Sequence, residues 1–375
     1  MASKIRVGLV YGGKSGEHDV SLQTAFAVIQ ALDFSKYEIK PIYITQNGEW
    51  RNGQKLIAPL EHKEALVFEA TPSNMNSSTA LMPIFQGLQQ STEEKAYISS
   101  DNNDQVDVVF PLLHGTNGED GTIQGLLEMA NIPYVGAGVL ASAVGMDKVM
   151  MKKIFADAGL PQCVYRYFTR SQWMKDQHHH LMEIEVSVGY PCFVKPANLG
   201  SSVGVSKARN RDELIQAVEF ALKYDRKVIV EEFINAREIE VAVLGNDDPE
   251  ASIAGEIVPS NEFYDYKAKY VDGKSVVVIP AEISDEVMQE VREMAVRAFQ
   301  SIDGTGLSRV DFFIRKEDQA IMINEINTMP GFTPISMYPM LWRETGKPYR
   351  ELLDDLIRLA LERHADKQNI QYTAD

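Results

Sequence analysis

The sequence predicts a mixed α/β and α+β protein, with an open parallel α/β unit at the N-terminus and two α+β units behind it. Three observations carry this. The chain opens strand–helix–strand: an apolar run at 4–11, a stretch with helical apolar spacing at 20–33, and a second apolar run at 37–44. Strands at 190–196 and 203–207, helix 211–224 and strand 227–234 make a compact central block. The last third sets strands 237–245, 251–259, 308–314 and 319–327 beside a helix at 284–301, and closes on the helix 349–365.

The 375 residues suffice for two or three domains, and 45% hydrophobic residues against 24% charged supply ample core. The net charge of −16 speaks against non-specific nucleic-acid binding, which depends on Lys and Arg. No apolar run approaches the roughly 20 residues that a membrane helix needs. "MASKIRVGLVYGG" lacks a signal-peptide layout, and two cysteines make no disulfide framework, so a cytoplasmic setting is expected.

Residues 8–15, "GLVYGGKS", match the phosphate-loop pattern G-x-x-x-x-G-K-[ST]. A working loop of that kind starts its turn at the first glycine, but Gly8 lies inside the apolar run and the turn is expected at Gly12. Glu17, His18 and Asp19 follow, and a carboxylate there suits an ammonium group better than a triphosphate. A phosphate loop, a plain structural turn and an amine-binding loop stay open on these residues alone. Next come strand 107–113, the loop "HGTNGEDGT" and helix 123–130, with the first unit ending near 145. Helix 146–158 stops at Gly159 and Pro161, and an amphipathic stretch spans 171–186.

"FVKPANLGSSVGVSK" (193–207) is a second phosphate candidate. Lys195 ends an apolar strand, where a lysine calls for an anionic partner, and Gly200, Ser201, Ser202 and Gly204 form a loop of small residues. A β-hairpin with a capping lysine reads equally well. Glu231, Glu232 and Glu238 can serve a base and a ribose, or face solvent.

"RVDFFIRKEDQAIMINEIN" reads as a hairpin turning at 316–319, with Asp311 opposite Glu325. Strand alternation puts Glu325 and Asn327 on one face with Ile321 and Ile323, and Arg309 and Phe313 on the face of Asp311. Two carboxylates and an amide converging on an apolar face suit Mg²⁺, which takes oxygen ligands. "NTMPGFTP" then offers backbone N–H groups for an oxyanion. Cys163 and Cys192 are expected in the core, and "HHH" at 178–180 is not expected to bind metal, because consecutive helical side chains diverge.

In order, "YGGKSGEHDVS", "LLHGTNGEDGTIQG", "MDK", "VKPANLGSSVGVSK", "VEEFINAREIEV", "FYDYKAKY", "SRVDFF" and "NEINTMPGFTPISMYP" cover nearly the whole chain. In that sequence they resemble the ATP-grasp superfamily, and within it the D-alanine–D-alanine ligases. The resemblance implies an N-terminal pre-ATP-grasp domain (1–145), a central ATP-grasp subdomain (146–234) and a C-terminal ATP-grasp domain (235–375), the last two clamping ATP beneath a lid at 261–275. It implies phosphate contacts from Lys148, Lys195, Ser201, Ser202 and Lys269. Around the nucleotide it sets Glu231 on the adenine amino group, Glu238 on the ribose, and Glu232, Phe233, Ile234 and Asn324 beside them. Glu232 stands where the family often has Lys.

Asp311, Glu325 and Asn327 are the implied ligands of two Mg²⁺ ions, with Mn²⁺ as a substitute and K⁺ left open as a monovalent activator. Glu17 would hold the ammonium of the first D-alanine with Val20 and His114 beside it, and hydrogen-bond to Ser201 and Tyr270. Arg309 and the N–H of Gly331 would hold the attacked carbonyl oxygen, with Asn327 alongside. Ser336 and Met337 would receive the carboxylate of the second D-alanine.

The implied reaction forms a D-alanyl phosphate and ADP, after which the second amine displaces phosphate, as a step in peptidoglycan precursor synthesis. The general base stays open among Tyr270 with Ser201, His114 and the acyl phosphate itself. Partners are expected to be D-alanine, ATP and a second copy in a homodimer, with neither nucleic acid nor membrane. Rivals are a D-alanine–D-lactate ligase, another ATP-grasp carboxylate–amine ligase, and a non-catalytic nucleotide sensor.

Overall fold

A computed structural model describes residues 3–69, 106–200, 202–258 and 276–371. The expected lid at 261–275, with Lys269 and Tyr270, lies outside the described residues, as do Ser201 and the polar stretches 71–79 and 99–105.

β1 (Ile5–Gly12) is apolar at nearly every position because both of its faces are covered. Val7, Leu9 and Tyr11 face one core, and Val10 faces another. α1 (His18–Ala31) follows, starting at His18, earlier than the apolar spacing suggested. β2 (Tyr37–Ile44) and β4 (Val108–Leu112) flank β1 in parallel. Between them in the chain, β3 (Trp50–Asn52) adds an antiparallel edge that had not been foreseen, giving the order β3-β2-β1-β4. α2 (Thr122–Met129) closes the second face.

α3 (Val139–Met146) and α4 (Lys148–Asp157) lead into the second sheet. α3 escaped the sequence reading because its short apolar run shows no amphipathic period. After β5 (Tyr165–Thr169), the amphipathic stretch at 171–186 forms two helices. α5 (Arg170–Lys175) starts with a Thr169–Gln172 capping box, and Asp176 then caps α6 (Gln177–Ser187) by accepting the His179 N–H at 3.0 Å. β6 (Cys192–Pro196), β7 (Ser206–Ala208), α7 (Arg211–Ala221) and β8 (Lys227–Glu232) complete an antiparallel sheet in the order β5-β8-β6-β7. Cys163 and Cys192 are buried, as expected.

The third sheet is also antiparallel, in the order β11-β10-β9-β12-β13. It comprises β9 (Ala236–Gly245), β10 (Glu250–Val258), β11 (Val276–Val278), β12 (Gly306–Arg315) and β13 (Ile321–Asn327). α8 (Asp285–Ser301) covers one face, burying Val291, Ala295 and Phe299 against Ile239, Val241 and Val310. α9 (Met337–Thr345) falls where no element was expected from the sequence; its Pro339 sits in the first turn, where a missing N–H is tolerated. α10 (Tyr349–Lys367) returns to the start of the chain, where Leu352, Leu356 and Ile357 share a core with Val7 and Leu9. Tyr37 and Lys36 both reach Asp354, at 2.8 and 2.7 Å.

The β12–β13 hairpin pairs Asp311 with Glu325 and Arg309 with Asn327. One expectation fails here. The register slips between Asp311 and Phe312, leaving Asn324 as an extra residue in β13. A one-residue bulge reverses alternation beyond it. Ile321 and Ile323 therefore turn into the core with Phe312 and Ile314, away from the face of Glu325 and Asn327. The histidine run also differs from expectation: ligand atoms of His179, His180 and Glu183 come within 4.8 Å of one another. Glu183 already pairs with Arg166 at 3.0 Å, and His180 stacks on Phe168.

Candidate active site

Gly8 pairs in register with Lys40 and Val109, so it is strand. The turn comes at Gly12 and Gly13, whose φ angles of +92° and +97° require glycine. Lys14 is exposed and lies along Gly48. No phosphate cradle forms from that spelling.

Glu17 sits at the N-cap of α1, where the helix dipole favours its charge. Its carboxylate reaches Gly115 so closely that a Cβ there would lie 2.7 Å from Oε2. Ser15 Oγ donates to the His114 carbonyl at 2.7 Å and accepts the Glu17 N–H at 3.3 Å, tying the two loops together. Val20 is half-buried in the first turn of α1. His114 is buried, with Nε2 3.1 Å from Thr24 Oγ1 and Nδ1 3.3 Å from the Met329 carbonyl. That carbonyl can only accept, so Nδ1 carries the proton and Nε2 accepts from Thr24. Burial pushes the His114 pKa down, partly countered by Glu17 and the Met329 bond, so the ring is neutral near pH 7.

Glu119 escaped the sequence reading. Its carboxyl accepts the Gly115 N–H at 2.8 Å, and it flanks Gly200 opposite Glu17. Burial, then the charge of Glu17, pushes it up to about 8. The folded protein thus holds this proton where the unfolded chain, near 4.5, releases it. Stability therefore falls as pH rises from about 4.5 and levels off above about 8. Glu119→Gln is expected to flatten that fall, raising Tm at about pH 9 with little change at about pH 5, read by thermal melts. A parallel slope in the variant counts against it.

On the outer face of the β12–β13 hairpin, Arg309 grips Asp311 through two hydrogen bonds of 2.7 Å and meets Glu240 at 2.9 Å. Asn327 Nδ2 donates to the same carboxylate at 3.1 Å, and Glu325 lies 3.9 Å from Lys148. Glu240 is buried and was also missed; its signal was "EIE", acids two apart in an apolar strand, placing Glu238 and Glu240 on the face of Asp311. Three carboxylates crowd one guanidinium there, and their oxygen donors, with the Asn327 amide, fit a hard divalent cation. Asn324, the bulge residue, precedes Glu325 in β13 and is half-buried.

Across the cleft, Lys148 opens α4 and donates to the Leu199 carbonyl at 2.9 Å. Lys195 on β6 pairs with buried Glu231 at 2.5 Å. Ser202 takes a left-handed φ of +56° in the loop of small residues. Glu232 makes two bonds to Val164, its N–H donating to that carbonyl at 3.0 Å and its carboxylate accepting that N–H at 2.8 Å. The Phe233 ring lies 4.0 Å from Lys207 Nζ, Ile234 continues the linker half-buried, and Glu238 follows in β9 beside Phe313. Beyond β13, Gly331 approaches Ser336 so closely that a Cβ would lie 3.1 Å from its Oγ. Ser336 is the N-cap of α9 but its Oγ turns to Thr333, so no side chain caps the N–H groups at Met337 and Tyr338. Such a helix start suits a carboxylate.

Lys148 and Lys195 beside a loop of small residues, an oxygen-rich carboxylate face on the third sheet and an acid at the start of α1 have the arrangement of an ATP-grasp ligase. Family models described as D-ala D-ala ligase N-terminus and C-terminus match residues 6–137 and 154–358. The chain belongs to the D-alanine–D-alanine ligase family. It is 55% identical to the D-alanine–D-alanine ligase of Bacillus cytotoxicus over 371 residues, 99% of each chain. It is 53% identical to that of Listeria innocua, covering 98% of this chain and 99% of the relative. Among solved structures, the Coxiella burnetii D-alanine–D-alanine ligase superposes with a TM-score of 0.77 at 34% identity, covering 98% and 97% of the two chains. The VanG D-Ala:D-Ser ligase of Enterococcus faecalis gives 0.77 at 35%, covering 96% and 100%. No helix among the described residues is long and apolar enough to cross a membrane.

Proposed function

We propose that this enzyme joins two D-alanine molecules at the expense of ATP, through a D-alanyl phosphate. The observation that carries the reading is the convergence on one cleft of the Glu17 loop and the Arg309–Asp311–Asn327 cluster, bridged by His114 to the Met329 carbonyl. Glu17 holds the first ammonium, with Val20 and His114 forming the wall. Lys148 and Lys195 draw the phosphates, joined by Ser202 and, outside the described residues, Ser201 and Lys269. The D-alanine carboxylate attacks the γ-phosphorus, ADP leaves, and the amine of the second D-alanine displaces phosphate from the acyl carbon. Arg309 and the Gly331 N–H stabilise the oxyanion that forms there, and Ser336 and Met337 orient the second carboxylate. Positioning and charge neutralisation supply most of such catalysis.

ATP-grasp ligases use ATP and Mg²⁺. Asp311, Glu325 and Asn327 would hold two such ions, which when bound neutralise phosphate charge; Mn²⁺ would occupy the same oxygen set, and K⁺ dependence is part of the same proposal. His114 uses both ring nitrogens in structural bonds, which favours Tyr270 with Ser201, or the acyl phosphate, as acceptor of the second amine's proton. Residues 1–145, 146–234 and 235–375 would act as the three functional segments, with 261–275 as lid, in a homodimer.

The test is phosphate release by the purified chain with ATP, Mg²⁺ and D-alanine alone, then with D-serine or D-lactate added. The expected product is D-alanyl-D-alanine. Mixed dipeptide or depsipeptide as the main product points to a second site like that of the D-Ala:D-Ser relative. No release with any D-amino acid overturns the reading.

A further inference from the structure

Lys152 lies one turn beyond Lys148 on α4, and its side chain is only 1% exposed. A buried lysine is costly without partners. Its Nζ lies 2.9 Å from Glu231 Oε1 and 3.4 Å from Cys163 Sγ, while Lys195 takes Glu231 Oε2 at 2.5 Å. Glu231 is therefore gripped from two sides, by one lysine wholly enclosed in protein and one at the cleft. Burial opposes charge on Glu231, but Lys152 and Lys195 more than offset it and hold the carboxylate well below its usual range. Pairing likewise outweighs burial at Lys152 and raises its pKa. Val149, Ala197 and Ile229 form a small apolar cluster in this region, with Tyr165 packed against it.

The two lysines divide their work. Lys195 is the one that nucleotide phosphates can recruit. If it were the sole partner of Glu231, recruiting it would strand a buried carboxylate, at the cost of any unpaired charge. Lys152 removes that conflict, because its pairing with Glu231 does not depend on the state of the cleft. A carboxylate has about four acceptor sites, so Glu231 keeps capacity for an outside donor after both lysines have bound.

We propose that Lys152 is a positioning residue for the nucleotide base: it fixes Glu231 as an oriented anionic acceptor, so that the pocket selects a purine bearing an amino group over one lacking it. This rests on the proposed contact between Glu231 and the adenine amino group. The test measures kcat/KM of the full-length enzyme with ATP and with purine riboside 5′-triphosphate, which lacks that amino group, for wild type, K152M, E231Q and the double variant.

E231Q and K152M are each expected to lower the ATP preference about tenfold, the size of a hydrogen bond to a charged acceptor. The KM for D-alanine should stay unchanged, and K152M should add little in the E231Q background, because it acts through Glu231. If E231Q loses the preference and folded K152M keeps it, the role of Lys152 is overturned alone. If E231Q keeps it, the reading of Glu231 fails first and the proposal with it. Should K152M not fold, K152R decides. It keeps the charge but sets a wider planar fork in a filled site, and a loss of about threefold is expected; an unchanged preference overturns the proposal.

Discussion

Replacing Arg309 with lysine is expected to lower kcat by about 10²–10³, the usual cost of removing one oxyanion donor. Arg309 holds three positions at once: two bonds of 2.7 Å to Asp311 and one contact of 2.9 Å to Glu240. Lysine preserves the charge but not the fork, so it cannot brace Asp311 at both oxygens and still present a donor to the acyl oxygen. The KM for ATP should change far less than kcat, because this loss falls on the transition state. Arg309→Met adds a second effect. It leaves Glu240 and Asp311 crowded without a counter-charge, and removing one partner of a buried pair costs about 3–5 kcal/mol. Its thermal melt should therefore drop sharply, and Mg²⁺ should restore part of the loss by balancing the same carboxylates. Steady-state kinetics and melts with and without Mg²⁺ separate the two effects. A lysine variant with wild-type kcat would remove Arg309 from the oxyanion site.

The parallel strand–helix–strand opening and the Asp311–Glu325 pairing were legible because both rest on apolar periodicity and short-range spacing. The bulge at Asn324 was not. Nothing in "IMINEIN" marks one residue as extra; the slip follows from fitting Ile321 and Ile323 under α8 while Glu325 faces the cleft. Lys152 and Lys153 show the same limit. They are neighbours of one type, yet the first is enclosed against Glu231 and the second lies 2.8 Å from the Tyr167 hydroxyl at the surface. Only the packing of α4 on the second sheet tells them apart. In "GEDG", Asp120 serves the local turn, accepting the N–H groups of Asn117 and Thr122 at 2.9 and 3.1 Å, while Glu119 turns toward Glu17. Two adjacent acids thus divide between loop and site for reasons that lie a hundred residues away.

Glu17→Gln is expected to raise the KM for the first D-alanine about 30- to 100-fold, the scale of a charge-assisted hydrogen bond lost in a partly buried site. Glutamine keeps the shape and the N-cap position of α1, so the fold should hold. What disappears is the negative charge facing the cleft beside Gly115 and Gly200. The same charge is the second cause that lifts Glu119 toward about 8. Without it burial acts alone, Glu119 releases its proton at lower pH, and the fall of Tm between about pH 5 and pH 9 becomes shallower. One substitution should therefore move two independent readouts, substrate affinity and the pH slope of stability. Lys14→Ala, three residues earlier, should move neither and should leave the KM for ATP unchanged, since Lys14 lies exposed along Gly48. Loss of ATP binding in Lys14→Ala would return the phosphates to "GLVYGGKS" and take them from Lys195. An unchanged D-alanine KM in Glu17→Gln would leave the first ammonium without its acid.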